Sequence, residues 1–247
     1  LGSGQFGKSI TILPNGNYIV TDPYFDNASI DVGAVYLFNG KTHAIISTLT
    51  GSTANDQIGS EGIIVLKNGN FVIRSTRWNN GSITNAGAAT WCNSTTGLNG
   101  TVSDSNSLVG DSKDDQIGSS GIIALNNGNY VVSSPRWRIS IGAVTWCDGS
   151  IGRIGIVNAG NSLVGFSTND LIGSQVTTLT NGNYVVSSTH WKNSINVSVG
   201  AATWCDGTIG RIGYVNSTNS LVGSAYGDLV GAYVLPFIGS SSTWLTL

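Results

Sequence analysis

The stretch NGNYVVSSPRW, from Asn127 to Trp137, decides how this chain is read, because three near copies of it recur. They are NGNYIVTDPYF (Asn15 to Phe25), NGNFVIRSTRW (Asn68 to Trp78) and NGNYVVSSTHW (Asn181 to Trp191). The Asn-Gly pairs at Asn15, Asn68, Asn127 and Asn181 stand 53, 59 and 54 residues apart, a period that marks a repeat architecture. Further markers keep step with them. A Gly-Ala pair opens GAVYLF, GAATWC, GAVTWC and GAATWC at Gly33, Gly87, Gly142 and Gly200. The segment TLTG or SLVG closes each unit at Gly51, Gly110, Gly165 and Gly223, and FG, IG or VG opens units at Gly7, Gly59, Gly118, Gly173 and Gly231.

Each unit reads as four antiparallel strands. An Asn-Gly pair takes positive φ at little steric cost, so it predicts a type I′ hairpin tying a first strand (9–13 in unit 1, 63–66 in unit 2) to a second. The third strand opens at the Gly-Ala pair, and the fourth ends in SLVG. No helical periodicity of useful length is present. Segments such as VYLF and YVV are apolar on both parities, so both faces of each sheet must be covered by neighbouring sheets. That fits a propeller blade better than a sandwich. The expected fold is all-β, a β-propeller-like array of four-stranded antiparallel blades in a single repeat domain, 1–247. Its blades fall at 1–52, 53–111, 112–166 and 167–224, with a half blade at 225–247. The tail AYVLPFIGSSSTWLTL supplies only the first two strands of that half blade, which leaves an open sheet edge for more chain or another subunit to complete.

Composition narrows the function classes. Only 10% of the residues are charged and the net charge is −2, so no field draws nucleic acid. No apolar run approaches the roughly 20 residues that span a bilayer, so membrane insertion is not expected. Cys92, Cys147 and Cys205 occupy the same place in three units, and equivalent positions rarely meet within disulfide reach; they read as small buried residues. His43 and His190 lie at unrelated unit positions and in no nucleophile or metal-ligand motif, so no catalytic residue is assigned and an enzyme is not expected.

QFGKSITILPNGNYIVTDPYF followed by GAVYLFNGK resembles the FG-GAP repeat of integrin-α-type β-propellers. The later units, with NGNYVVSS, GAVTW and NSLVG, are similar to uncharacterised repeats of large haemagglutinin-like surface adhesins of bacteria. The resemblance covers essentially the whole chain. It implies a secreted or cell-surface location and a glycan or host-surface ligand. One departure matters: where FG-GAP blades often carry a calcium loop, this chain has LPNGN, LKNGN, LNNGN and LTNGN, without a carboxylate. Calcium needs several oxygen ligands, so neither metal nor cofactor is expected.

The candidate ligand-binding residues follow the second strand: Trp78, Trp137 and Trp191, each preceded by Arg77, Arg136 or His190. Such pairs on loops at one face can form a sugar-stacking or cation–π surface. The alternative is that the rings wedge between blades, which Phe25 at the same place in unit 1 favours. Trp91, Trp146 and Trp204 align with Leu37, the substitution pattern of a core position. Asp56, Asp115, Asp170 and Asp228 precede the IG or VG marker and are expected to accept backbone N–H bonds; unit 1 has Gly4 there. The expected function is an extracellular structural or adhesive repeat protein, able to self-associate through its C-terminal strands into a fibre or surface layer. The alternative is a carbohydrate-binding, lectin-like propeller.

Overall fold

The hairpin at each NGN motif sets the first two strands of each unit. In a computed structural model, which describes residues 4–234, Gly16, Gly69, Gly128 and Gly182 lie at φ of 86°, 89°, 92° and 87°. The preceding Asn residues keep negative φ, which corrects the expected type I′ turn. Gly16 N–H donates to the Leu13 carbonyl and Leu13 N–H to the Asn17 carbonyl, so the loop is a type I turn closed by a left-handed glycine. Only glycine takes that last position without strain. The Asn15 side chain is thereby free to accept from Asn17 N–H at 3.1 Å.

Unit 1 contains β1 (Ser9–Ile12), β2 (Tyr18–Asp22), β3 (Ala34–Phe38) and β4 (Ile45–Thr50). Unit 2 contains β5 (Ile63–Val65), β6 (Phe71–Ser75), β7 (Ala88–Cys92), β8 (Gly100–Thr101) and β9 (Leu108–Val109). Unit 3 repeats this as β10 (Gly121–Ala124), β11 (Tyr130–Ser134), β12 (Ala143–Cys147), β13 (Gly155–Ile156) and β14 (Leu163–Val164). Unit 4 follows with β15 (Gln175–Thr178), β16 (Tyr184–Ser188), β17 (Ala201–Cys205), β18 (Gly213–Tyr214) and β19 (Leu221–Val222). The chain is all-β, in four sheets of antiparallel strands arranged like propeller blades, none closed into a barrel. The only helical element among the described residues is one turn, Trp137–Ser140, with Arg138 and Ile139 left-handed. The half-blade strands expected beyond Val234 lie outside the described residues.

The expected four-stranded blades are corrected in one respect. Between the third and fourth strands of units 2, 3 and 4, a short strand leaves its own sheet and pairs in parallel with the last strand of the preceding unit. β8 pairs with β4, β13 with β9, and β18 with β14. The first three sheets therefore have five strands and the fourth has four. Unit 1 has no such segment: the turn after Phe38 leads straight into β4, with Asn39 N–H donating to the Ala44 carbonyl.

The core lies between sheets rather than within them. One apolar cluster joins Ile19, Val35 and Leu49 of unit 1 to Phe71, Ile73 and Trp78 of unit 2; a second joins units 2 and 3, and a third units 3 and 4. Fully burying a Phe or Leu contributes about 2 kcal/mol, so a single unit could not bury its faces alone. Close approach at the seams also explains the Gly-Ala marker. Gly142 lies at φ 87°, bridged in parallel to Ile172, and a Cβ there would sit 2.2 Å from the Ile172 nitrogen.

Candidate functional site

Two features gather the polar residues: the seams between units and a cleft above the seam of units 2 and 3.

Each seam has the same three fastenings. The first is the borrowed strand, where Val102 N–H donates to the Thr50 carbonyl and Val157 N–H to the Val109 carbonyl, both at 3.0 Å. The second is a single turn carbonyl of the following unit. The Gly149 carbonyl accepts from Asn68 Nδ2 at 2.7 Å, Asn70 Nδ2 at 3.1 Å and Trp91 Nε1 at 2.9 Å. One seam later the Gly207 carbonyl accepts from Asn127, Asn129 and Trp146 at 2.7, 2.9 and 2.9 Å. In the first seam, among the described residues, the Ser94 carbonyl accepts from Asn15 and Asn17 alone, because Leu37 stands where the Trp would be.

The third fastening is the recurrent Asp. Asp115 lies in the connection from β9 to β10, which is held to unit 2 by Ile117 N–H donating to the Ala86 carbonyl; its Oδ2 accepts from Asp111 N–H and Ser112 N–H, and Oδ1 accepts from Arg138 N–H, after β11 of unit 3, at 2.7 Å. Asp56 binds Asn79 N–H, and Asp170 binds Lys192 N–H, in the same way. Burial pushes the carboxyl pKa of Asp56, Asp115 and Asp170 upward, against the opposing pull of these N–H donors. The loop-fixing role expected for these residues is therefore present, with a clamp across the seam added to it.

The structure separates the candidate ligand-binding residues. Trp78, Trp137 and Trp191 are 3%, 4% and 7% exposed and belong to the three inter-sheet clusters. A stacking platform needs an open ring face, so the sugar-stacking surface expected at these positions gives way to the wedge reading. The guanidinium near Trp137 belongs to Arg138, 5.0 Å from the ring centroid, and not to Arg136. Arg77 and Arg136 instead reach into a cleft of about 630 Å³ that Gln57, Gln116, Asn85 and Glu61 also line. Arg77 Nη1 donates to Gln57 Oε1 at 2.9 Å, and Arg136 Nη1 to Gln116 Oε1 at 2.7 Å. Among the described residues neither guanidinium has a carboxylate within ion-pair distance. Glu61 is occupied by Thr76, through its N–H and its hydroxyl, and by Arg74 at 3.7 Å. His190 does not line the cleft; it contacts the Thr189 hydroxyl, and Leu171 replaces the glutamine in its unit.

Sequence reasoning missed the second Asn of each NGN motif and the polar use of Trp91 and Trp146, which pack against the core as expected but are only half-buried. One signal was present: a turn of this type needs one Asn, whereas every unit keeps two. Gln57 and Gln116 gave no signal of their own. Cys92, Cys147 and Cys205 are buried and unpaired, and burial pushes the Cys147 and Cys205 thiols up to about 12. Among the described residues no three His, Cys, Asp or Glu side chains come together as a metal site.

Residues 12–60, 65–119, 124–174 and 178–232 match the family described as "Repeat of unknown function (DUF5650)". No curated protein matches the sequence.

Proposed function

The chain belongs to that repeat family, and from this premise we propose that it is an extracellular structural or adhesive repeat protein. The observation that carries the proposal is the seam. Each core is shared by two sheets and each borrowed strand ties one unit to the next, so the array resists bending where units meet and can be extended by repetition. A stiff, weakly charged body of this kind suits a stalk, fibre or surface layer. The likeness to FG-GAP propellers and to bacterial surface adhesins supports the same reading, as does the absence of a catalytic constellation in the sequence. Self-association at the edge left by the last sheet extends it.

Light scattering and electron microscopy of the full chain, with a cell-adhesion assay, test the proposal. Ordered assemblies or saturable attachment to cells are expected. A chain that stays monomeric at millimolar concentration and attaches to nothing overturns it.

The two unpaired guanidiniums favour a second reading, a carbohydrate-binding module for acidic glycans. Each Arg, held by a glutamine through Nη1, keeps further N–H donors for a carboxylate or sulfate, groups that a guanidinium binds well. On a glycan array, the double substitution Arg77→Gln and Arg136→Gln should lower binding to acidic glycans at least tenfold while the chain stays folded. Unchanged binding refutes that reading.

A further inference from the structure

The cleft above the seam of units 2 and 3 contains one device twice. Arg77 is held by Gln57 and Arg136 by Gln116, and each glutamine stands 20 residues before its arginine, in the connection that leads into the arginine's unit. The backbone of each glutamine is fastened to the preceding unit. Gln57 N–H donates to the Asp31 carbonyl and Gln116 N–H to the Asn85 carbonyl, both at 3.0 Å. The two residues also share a φ of 47°. Unit 1 keeps Gln5 but has Tyr24 in the arginine's place, and unit 4 replaces both residues, with Leu171 and His190. Leu171 keeps the left-handed backbone, at φ 53°, so the turn does not require a glutamine. The amide of Gln57 and Gln116 therefore serves the arginine.

A guanidinium has five N–H donors, of which the glutamine takes one on Nη1. One carboxylate accepts two parallel N–H bonds from a single guanidinium, so each arginine can seat one acidic group. Holding the side chain in advance removes part of the ordering cost of binding. Neighbouring sheets pack about 10 Å apart, about the advance of two sugar residues along an extended chain. Each arginine is tethered to its own connection, so the pair forms two seats one unit apart and does not close on one small anion. Both open into a single cleft of about 630 Å³, and every side chain lining it is polar, Asn55, Asn85 and Thr76 among them. Such walls suit hydroxyl and amide groups, whereas an aliphatic or aromatic anion would bury nothing apolar against them. We propose that the cleft takes two acidic groups at once, from alternate residues of a linear acidic polysaccharide, one on Arg77 and the next on Arg136. This rests on the acidic-glycan reading above and names its ligand: a chain that carries charge at a fixed interval, not an isolated acidic sugar.

Isothermal titration calorimetry of the full chain with three probes tests this. They are glucuronic acid, a tetrasaccharide in which glucuronic acid alternates with N-acetylglucosamine, and the uncharged tetrasaccharide of N-acetylglucosamine. The alternating tetrasaccharide is expected to bind about 100-fold more tightly than glucuronic acid, because its second carboxylate binds intramolecularly. The uncharged chain should not bind. Arg77 and Arg136 are exposed, so Arg77→Gln and Arg136→Gln should leave Tm unchanged. Each alone should bring the alternating tetrasaccharide down to about the affinity of glucuronic acid. A tetrasaccharide that binds no more tightly than glucuronic acid, or that either single substitution leaves unaffected, overturns the two-seat proposal and leaves the acidic-glycan reading in place. Failure of both acidic probes to bind overturns the proposal as well. The broader reading then survives only if the glycan array shows an acidic glycan that the double substitution releases.

Discussion

Replacing Asp115 by Ala should loosen the seam between units 2 and 3 far more than the same change at Asp228 loosens unit 4. Asp115 is fully buried, and its carboxylate accepts three N–H bonds, from Asp111 at 3.1 Å, Ser112 at 2.9 Å and Arg138 at 2.7 Å. Removing the carboxylate leaves these donors without their acceptor. A buried donor without a partner costs about 1–3 kcal/mol, with the Arg138 N–H at the upper end because it lies across the seam. The donors of Asp111 and Ser112 sit on a partly buried loop and recover part of their loss from water. Against this stands the relief of an unfavourable carboxylate burial, the same burial that raises its pKa. The net expectation is a loss of about 2–3 kcal/mol. For a chain of this size that corresponds to a fall of about 5–10 °C in Tm. Asp228 makes its bonds in the open and, among the described residues, has no partner across a seam, so its loss should shift Tm by a small fraction of that. Thermal unfolding followed by near-ultraviolet circular dichroism of the tryptophans reads both. If the two substitutions lower Tm equally, the clamp across the seam does not contribute and the reasoning fails.

Gly142→Ala should be among the most damaging single-methyl additions, because the residue lies at φ 87° and the new Cβ would meet the Ile172 backbone at 2.2 Å. A loss of at least about 3 kcal/mol in urea unfolding is expected, and a loss below about 1 kcal/mol would show that the seam can part at no cost. The recurrent Asp residues should also titrate apart. Burial raises Asp56, Asp115 and Asp170, whereas the N–H donors of Ala225 and Ser224 lower the exposed Asp228. A carboxyl whose folded pKa exceeds its unfolded value binds more protons in the native state. The three buried residues therefore make stability fall as pH rises from the ordinary Asp range through their raised values, and contribute no slope above them. Carboxyl-carbon NMR titration with urea midpoints at several pH values checks this; superimposed titration curves for Asp115 and Asp228 would contradict it.

The sequence by itself determined the period, the strand order within a unit and the need for both sheet faces to be covered, because these depend on local spacing and side-chain type. NGN marks a turn wherever it occurs, and YVV is apolar on both sides of any strand. It also located the Asp residues correctly as acceptors of nearby N–H groups, since a loop bond to a donor three or four residues away is a local event. What only the tertiary structure decided is everything that crosses a seam. The chain does not announce that Gly155–Ile156 leaves its own sheet, because a two-residue strand carries no pattern. Nor does it announce that Asn70, Trp91 and Asn68 converge on the Gly149 carbonyl from 58 to 81 residues away. The burial of Trp78, Trp137 and Trp191, and the exposure of Arg77 and Arg136 beside them, turn on which way neighbouring side chains point once two sheets meet. Local chemistry wrote the units, and the packing of one unit on the next decided which of their residues face each other and which remain open to a partner.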